Sequence, residues 1–159
     1  MKIAIASDFS GFRLKEAVKA HIASLGLGYD LADVGQQKED DKVMYFEAAA
    51  AAAKAIQSGE AERALVFCGS GGGVSLIANK FKGVYCVLCE SVFTAERSQL
   101  INNANVLAMG ENIVSQAMAK EMAEKWLASN WCEGFAAERR LNNEKGYAAM
   151  QAIEAEQFR

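Results

Sequence analysis

Five short apolar segments alternate with stretches of helical character along almost the whole chain. The apolar segments predict buried strands at Lys2–Ala6, Tyr29–Val34, Ala64–Phe67, Val84–Leu88 and Asn105–Ala108. Composition and apolar periodicity predict helices at Gly11–Leu25, Phe46–Ser58, Val74–Lys80, Ser91–Leu100 and Ser115–Ser129. Strands that alternate with helices are typical of a parallel sheet with helices on both faces. We therefore expect an α/β fold, a three-layer αβα sandwich around a five-stranded parallel sheet.

The end of the chain predicts one more helix. Ala136–Phe158 is rich in Glu, Arg and Ala, and it follows the last predicted strand without an obvious place in the sheet. The length of 159 residues suits a single domain, and the hydrophobic fraction of 52% is enough for a substantial core. We expect residues 1–159 to form one domain with a C-terminal helical tail, whose helix at about 136–158 packs on a partner subunit.

Charge and composition exclude several classes of partner. The net charge is −3 and no basic stripe occurs, so nucleic acid is not expected as a partner. The N-terminal run MKIAIASD is too short for a signal peptide or a membrane span, so we expect a cytoplasmic protein without a membrane partner. The chain has one histidine and no second ligand pair at zinc-finger spacing, so no metal site is expected.

Two cysteines, Cys86 and Cys89, have the C-x-x-C spacing of redox proteins. They fall at a predicted strand, where residues three apart point to opposite faces of the sheet. We therefore do not interpret them as a redox pair.

The segment Cys-Gly-Ser-Gly-Gly-Gly at 68–73 carries the clearest chemical signal. It follows a predicted strand and leads into a predicted helix, and its four glycines allow the backbone to turn sharply and approach a ligand. Successive free N–H groups at the start of a helix bind anions. This arrangement suits proton abstraction beside a carbonyl group, with the Cys68 thiolate taking the proton and the amides holding the enediolate oxygen.

Other interpretations of this segment are a structural turn and a nucleotide site. A glycine-rich turn beside a buried cysteine is the common structural case, and the residues alone leave it open. A dinucleotide loop fits poorly, because the spacing is not G-x-G-x-x-G and the segment follows the third strand. A phosphate-binding P-loop is excluded by the lack of Gly-Lys-Ser/Thr.

Three longer segments carry a family resemblance: KIAIASDFSGFRLKE, SGEAERALVFCGSGGGVSLIANKFKGV and NNANVLAMGENIV. With weaker matches at Asp33-Val34-Gly35, Tyr45 and Glu133-Gly134, they cover most of residues 1–134. The sequence resembles the ribose-5-phosphate isomerase B and galactose-6-phosphate isomerase family. The resemblance implies a Rossmann-like sandwich and a sugar or sugar phosphate substrate without a cofactor. It also implies a homodimer or homotetramer whose active sites lie between subunits.

The resemblance further implies roles for individual residues. Cys68 matches the base that moves a proton between C1 and C2, and Ser70 matches a hydroxyl residue that helps proton transfer between the oxygens. The loop residues whose amides hold the enediolate are Gly69, Gly71, Gly72 and Gly73. The remaining substrate-binding positions are matched by Asp8, Phe9, Tyr45, Asn102 and Arg140. Arg140 matches a phosphate-binding arginine that enters the partner subunit's site.

The departures from the family pattern lie at the substrate end. Phe9 replaces a histidine, Ile101 stands at the position linked to opening the sugar ring, and Ala136 takes the place of an arginine. Each change removes polar or charged chemistry, whereas the 68–73 loop is intact. We therefore expect aldose–ketose isomerisation with an altered substrate.

Two substrate classes fit these departures. One is a tetrose 4-phosphate, which needs no ring opening. The other is an unphosphorylated or differently charged sugar. The alternatives to an active enzyme are a non-catalytic relative that binds sugar phosphates and, much less favoured, a thiol-redox protein.

Overall fold

A computed structural model describes residues 1–158, and it contains the expected five-stranded parallel sheet. The strands are β1 (Lys2–Ser7), β2 (Asp30–Asp33), β3 (Arg63–Cys68), β4 (Cys86–Leu88) and β5 (Val106–Gly110). Their order across the sheet is β2-β1-β3-β5-β4, and each neighbouring pair is parallel. The α/β prediction is therefore confirmed.

Helices follow the strands as the periodicity predicts. They are α1 (Phe12–Ser24), α2 (Tyr45–Gln57), α3 (Gly72–Ala78), α4 (Val92–Asn102), α5 (Gln116–Ala128) and α6 (Ala137–Gln157). Observed boundaries differ from the predicted ones by at most two residues. Among the strands, the start of β4 differs most from its prediction, since it lies at Cys86 and not at Val84. Tyr85 lies outside the strand because its N–H donates to the Asn105 side-chain oxygen at 2.8 Å.

The two faces of the sheet differ in the size of their side chains. The face covered by α1, α4 and α5 buries large residues such as Phe67 and Trp126, whereas the face covered by α2 and α3 is rich in alanine. Small side chains let a helix approach the sheet closely. Cys86 and Cys89 lie in different cores, as their spacing predicts, and all four cysteines are free thiols.

Parallel strands bring all their carboxyl ends to one edge of the sheet. There, Ser7 of β1 pairs with Phe67 of β3, and Cys68 pairs with Gly110 of β5. The segments that follow these three strands are therefore neighbours. We call this the carboxyl edge, and the opposite one the amino edge.

Helix α6 lies outside the sandwich. Its 21 residues include none that is buried. Its inner face contacts the region before β4. The Tyr147 ring meets the Tyr85 ring edge-on with centroids 5.6 Å apart, and the Glu154 carboxylate accepts the Gly83 N–H at 2.7 Å. Leu141 and Ile153 are exposed. The expected packing on a partner subunit stays a prediction. None of the helices in residues 1–158 combines the length and apolar character needed to cross a membrane.

Candidate active site

Cys68 is the last residue of β3, and its side chain is buried at the start of the glycine loop. Gly71 adopts a left-handed conformation with φ of 76°, which turns the loop back over the cysteine. The Gly71 N–H then donates to the Cys68 Sγ at 3.1 Å. This hydrogen bond fixes the position of the sulfur at the start of the loop.

The close packing around this loop explains why it is made of glycine. A Cβ atom at Gly71 would lie 2.5 Å from Leu88 Cδ1 and 2.9 Å from the Met109 carbonyl carbon. A Cβ atom at Gly73 would lie 2.8 Å from the ring of Tyr45. Tyr45 therefore packs against the start of α3, next to the loop that carries Cys68.

Only some of the loop amides are free to bind a ligand. Gly69 N–H donates to Ser10 Oγ at 2.8 Å, and Gly72 N–H donates to Ser70 Oγ at 3.3 Å. The N–H groups of Ser70 and Gly73 have no hydrogen-bond acceptor within residues 1–158. These two amides are the available donors for an oxyanion.

The turn after β1 is built around the carboxylate of Asp8, which is 5% exposed. Asp8 Oδ1 accepts the N–H groups of Ser10 and Gly11, both at 2.9 Å, and Ser10 Oγ lies 2.8 Å from the same oxygen. Because Ser10 Oγ also accepts the Gly69 N–H, this turn is tied to the cysteine loop. Our sequence analysis missed Ser10, although Asp-x-Ser-Gly is the pattern of an Asx turn.

The turn after β5 supports the cysteine loop from the other side. Glu111 N–H donates to the Cys68 carbonyl at 2.9 Å, and Asn112 N–H donates to the Gly69 carbonyl at 3.0 Å. The Glu111 carboxylate also accepts the Leu14 N–H at 3.0 Å, in the first turn of α1. Sequence reasoning missed both residues, because no local pattern connects them to a loop about 40 residues earlier in the chain.

The entrance to the site is partly aromatic. Phe9 is 56% exposed, and its N–H donates to the Val43 carbonyl at 3.3 Å. Tyr45 is 39% exposed, and its ring meets the Phe46 ring edge-on at 5.5 Å. Seven predicted positions are therefore close to Cys68 at the carboxyl edge: Asp8, Tyr45, Gly69, Ser70, Gly71, Gly72 and Gly73. Phe9 follows Asp8 directly and completes this group.

The other two predicted residues lie elsewhere in the chain. Asn102 is the last residue of α4, at the amino edge, where it lines a cavity of about 300 Å³ with Tyr85, Ala104 and Met150. Arg140 is exposed in the first turn of α6. One chain does not bring these two residues to Cys68.

Other titratable groups lie away from the loop. His21 contacts Glu124 at 3.0 Å across the α1–α5 surface, which agrees with the structural role that its helix position suggests. Burial raises the pKa of Cys89 to about 12. In residues 1–158 no three His, Cys, Asp or Glu residues are grouped so that they could hold a metal ion.

Comparison with known proteins identifies the family. The family model described as Ribose/Galactose Isomerase matches residues 3–143. A 4-deoxy-4-sulfo-D-erythrose isomerase of Clostridium sp. (strain MSTE9) is 48% identical over 84% of this chain and 82% of its own length. D-erythrulose-4-phosphate isomerase 2 of Mycolicibacterium smegmatis is 41% identical, covering 80% of this chain and 84% of its own. The structure of Clostridium thermocellum ribose-5-phosphate isomerase B superposes with a TM-score of 0.87 at 31% identity, over 98% of this chain and 99% of that one. The chain therefore belongs to the ribose/galactose isomerase family, and it is an isomerase with the fold of ribose-5-phosphate isomerase B.

Proposed function

We propose that this isomerase interconverts an aldose and its 2-ketose through an enediolate, with Cys68 as the base. The observation that carries the proposal is the position of Sγ, which accepts the Gly71 N–H next to the free amides of Ser70 and Gly73. The thiolate removes the proton from C2 of the aldose, and the C–H electron pair forms the C1–C2 double bond as the carbonyl oxygen takes the negative charge. After the O2 proton has moved to O1, an O2 electron pair forms the C2 carbonyl, and the C1–C2 π electrons take the proton back from the thiol at C1.

The loop supplies the two remaining parts of this reaction. The amides of Ser70 and Gly73 stabilise the developing oxyanion; losing one such donor typically lowers the rate about 10²–10³-fold. Ser70 is exposed and belongs to the same loop, so its hydroxyl can carry a proton between O1 and O2. A positioned base such as Cys68 contributes roughly 10²–10⁴-fold.

We propose a four-carbon sugar with an anionic group on C4 as the substrate. The relatives at 48% and 41% identity are named for a 4-sulfo-erythrose and for erythrulose 4-phosphate. The aldose form of neither sugar can close a five-membered ring, because O4 is absent in one and esterified in the other. This supports the first substrate class suggested by Ile101, whose side chain cannot transfer a proton to open a ring.

We further propose that two copies of the chain complete each site. Cys68 lies at the carboxyl edge, whereas Asn102 lies at the amino edge and Arg140 on the exposed α6. If all three contact one substrate, as the family resemblance implies, then Asn102 and Arg140 must come from another subunit. A homodimer, alone or paired into a homotetramer, is the simplest assembly with this property.

Solvent deuterium exchange followed by NMR tests the reaction. The substrates are erythrose 4-phosphate, 4-deoxy-4-sulfoerythrose, ribose 5-phosphate and unphosphorylated erythrose. We expect deuterium at the carbon beside the carbonyl for the first two, with a rate at least about 100-fold lower in Cys68→Ala. Cys86→Ala, which changes another buried thiol, is the matched control and should exchange normally.

Each part of the proposal has its own contradicting result. Equal turnover of ribose 5-phosphate would refute the preference for sugars that cannot form rings. Full exchange by Cys68→Ala would remove the cysteine from the mechanism. Binding of these sugars by the native protein without any exchange would indicate the non-catalytic relative instead.

A further inference from the structure

We propose that Ser10 is a positioning residue for Cys68, because its hydroxyl fixes the plane of the Cys68–Gly69 peptide. The inference extends the proposed function, since it assumes that Cys68 is the base. Ser10 lies 59 positions from Gly69 in the sequence, and its Oγ accepts the Gly69 N–H at 2.8 Å.

This peptide is held at both of its polar ends. The N–H end is bound by Ser10 Oγ at 2.8 Å, and the carbonyl end accepts the Glu111 N–H at 2.9 Å. Glycine has no Cβ, so steric repulsion restricts the backbone of Gly69 very little. The two hydrogen bonds must therefore set the orientation that sterics would set at another residue.

Asp8 fixes the direction of the hydroxyl. Ser10 Oγ lies 2.8 Å and 2.9 Å from the two carboxylate oxygens of Asp8. A carboxylate only accepts hydrogen bonds, so the Ser10 proton must point toward Asp8 and leave an oxygen lone pair for Gly69 N–H. A hydrogen bond to a charged acceptor is also stronger than one between neutral groups. Asp8, which is almost fully buried, thus acts through Ser10 on the cysteine loop.

The orientation of this peptide matters because both sets of reactive groups depend on it. The peptide begins at Cys68 itself, and the amides of Ser70 and Gly73 follow it in the chain. A rotation about this peptide would displace Sγ relative to the amides that hold the oxyanion. Misplacing a reacting group by about 1 Å can cost roughly 100-fold in rate.

The test compares three variants of the full chain. Ser10→Ala removes the acceptor, and Ser10→Thr keeps it. Ser129→Ala is the control, because it removes a buried serine hydroxyl that donates to the Lys125 carbonyl at the amino edge. For each variant we would measure kcat and KM for the best substrate, the melting temperature, and hydrogen exchange of the Gly69 amide by NMR.

We expect Ser10→Ala to lower kcat about tenfold or more with KM changed less than about twofold, because orientation is lost and not affinity. Gly69 amide exchange should accelerate at least about tenfold, since the N–H loses its acceptor. Ser10→Thr should restore both values to within about threefold of the native protein. Ser129→Ala should lower the melting temperature without changing kcat or Gly69 exchange.

Three results would overturn the inference. An unchanged kcat in Ser10→Ala would show that the bond is not needed for positioning. A raised KM with the native kcat would make Ser10 a substrate contact, and an equal loss of kcat in Ser129→Ala would attribute the effect to general destabilisation. If the native protein isomerises none of the sugars, the proposed function fails on that result alone. Gly69 exchange then still decides whether Ser10 holds the peptide.

Discussion

Gly71 shows how a single residue shapes the candidate site. Its left-handed backbone directs its own N–H to the Cys68 sulfur, and the space beside its Cα is filled by Leu88 and by the backbone of β5. Two separate costs therefore oppose any side chain at this position: the backbone conformation and the steric clash. Gly59 isolates the first cost, because its φ is 75° and a Cβ atom added there would meet no other atom within 4 Å.

We predict that Gly71→Ala is the more destabilising of two matched substitutions. Gly59→Ala should lower the free energy of unfolding by roughly 1–2 kcal/mol, the cost of a left-handed alanine. Gly71→Ala should add about 1–3 kcal/mol for overpacking and should also lower kcat, because the N–H that reaches Sγ moves. Urea unfolding and steady-state kinetics measure both effects. Equal stability of the two variants would show that the loop relaxes without strain.

At this scale, sequence predicts residues that are consecutive and misses those that meet only in the fold. Cys68, Ser70 and the loop glycines are predictable together because six neighbouring residues carry the pattern. Ser10 and Asn112 come from segments on either side of the loop, and both meet Gly69. Their roles depend on strand order, which a single sequence does not specify.

At the scale of elements, α1 is anchored to the sheet by a buried charge. Lys15 is fully buried in α1, and its Nζ bonds Asp33 Oδ2 of β2 at 2.6 Å and the Gln36 carbonyl. Lys19 reaches the same carboxylate oxygen at 2.6 Å from a more exposed position. Because α1 follows the Asp8 turn directly, this anchor also holds the first loop of the site in place.

We predict that Asp33→Asn destabilises the fold by about 3 kcal/mol near neutral pH, because it removes the more buried of the two carboxylates that pair with Lys15 and leaves only Glu16, at 3.0 Å. The control Lys19→Met keeps the Lys15–Asp33 pair and should cost about 1 kcal/mol or less. Urea unfolding of the three proteins measures these differences. A cost for Asp33→Asn no larger than that of the control would mean that Glu16 alone compensates the Lys15 charge.

The same pair predicts a dependence of stability on pH. Burial opposes ionisation of Asp33, but hydrogen bonds from Lys15 and Lys19 outweigh it and hold the pKa of Asp33 below its ordinary value of 3.8. The contribution of this carboxylate is therefore complete above the ordinary value and is lost as the pH falls through the lower folded value. The difference in unfolding free energy between native protein and Asp33→Asn should shrink below about pH 4, measured by urea unfolding across that range. A constant difference would contradict the assignment.

The boundaries of the elements were predictable to within two residues, because apolar periodicity and glycine positions are local signals. The arrangement of the elements in space could not be predicted from these local signals. Family resemblance predicts Asn102 and Arg140 as site residues, yet α4 ends at the amino edge and the first turns of α6 lie beside that end, because Asn143 donates to Cys132 and the Cys132 N–H donates to the Leu100 carbonyl. Only the three-dimensional arrangement shows that one chain separates them.

At the scale of the whole molecule, this separation leads to a test of the shared site. Cys68→Ala and Arg140→Ala each remove one half of every site, so each protein alone should be nearly inactive. Refolding the two variants together produces heterodimers. Each heterodimer would contain one site in which both residues are altered and one site in which both are native. Random pairing makes half of the dimers heterodimers, so we expect activity to recover to about one quarter of the native value.

The matched control for this experiment is a mixture of Cys68→Ala with Ser70→Ala. Both substitutions lie in the same loop, so every site of a heterodimer contains one altered loop. Each variant still supplies a native Arg140, but no site combines that arginine with an intact loop. The activity of this control mixture should not exceed the average activity of its two components. The activity of the Cys68→Ala and Arg140→Ala mixture should exceed the average activity of its two components many-fold. If neither mixture recovers activity although sedimentation shows dimers, Arg140 acts on the Cys68 of its own chain. In that case α6 must move relative to the sandwich when substrate binds.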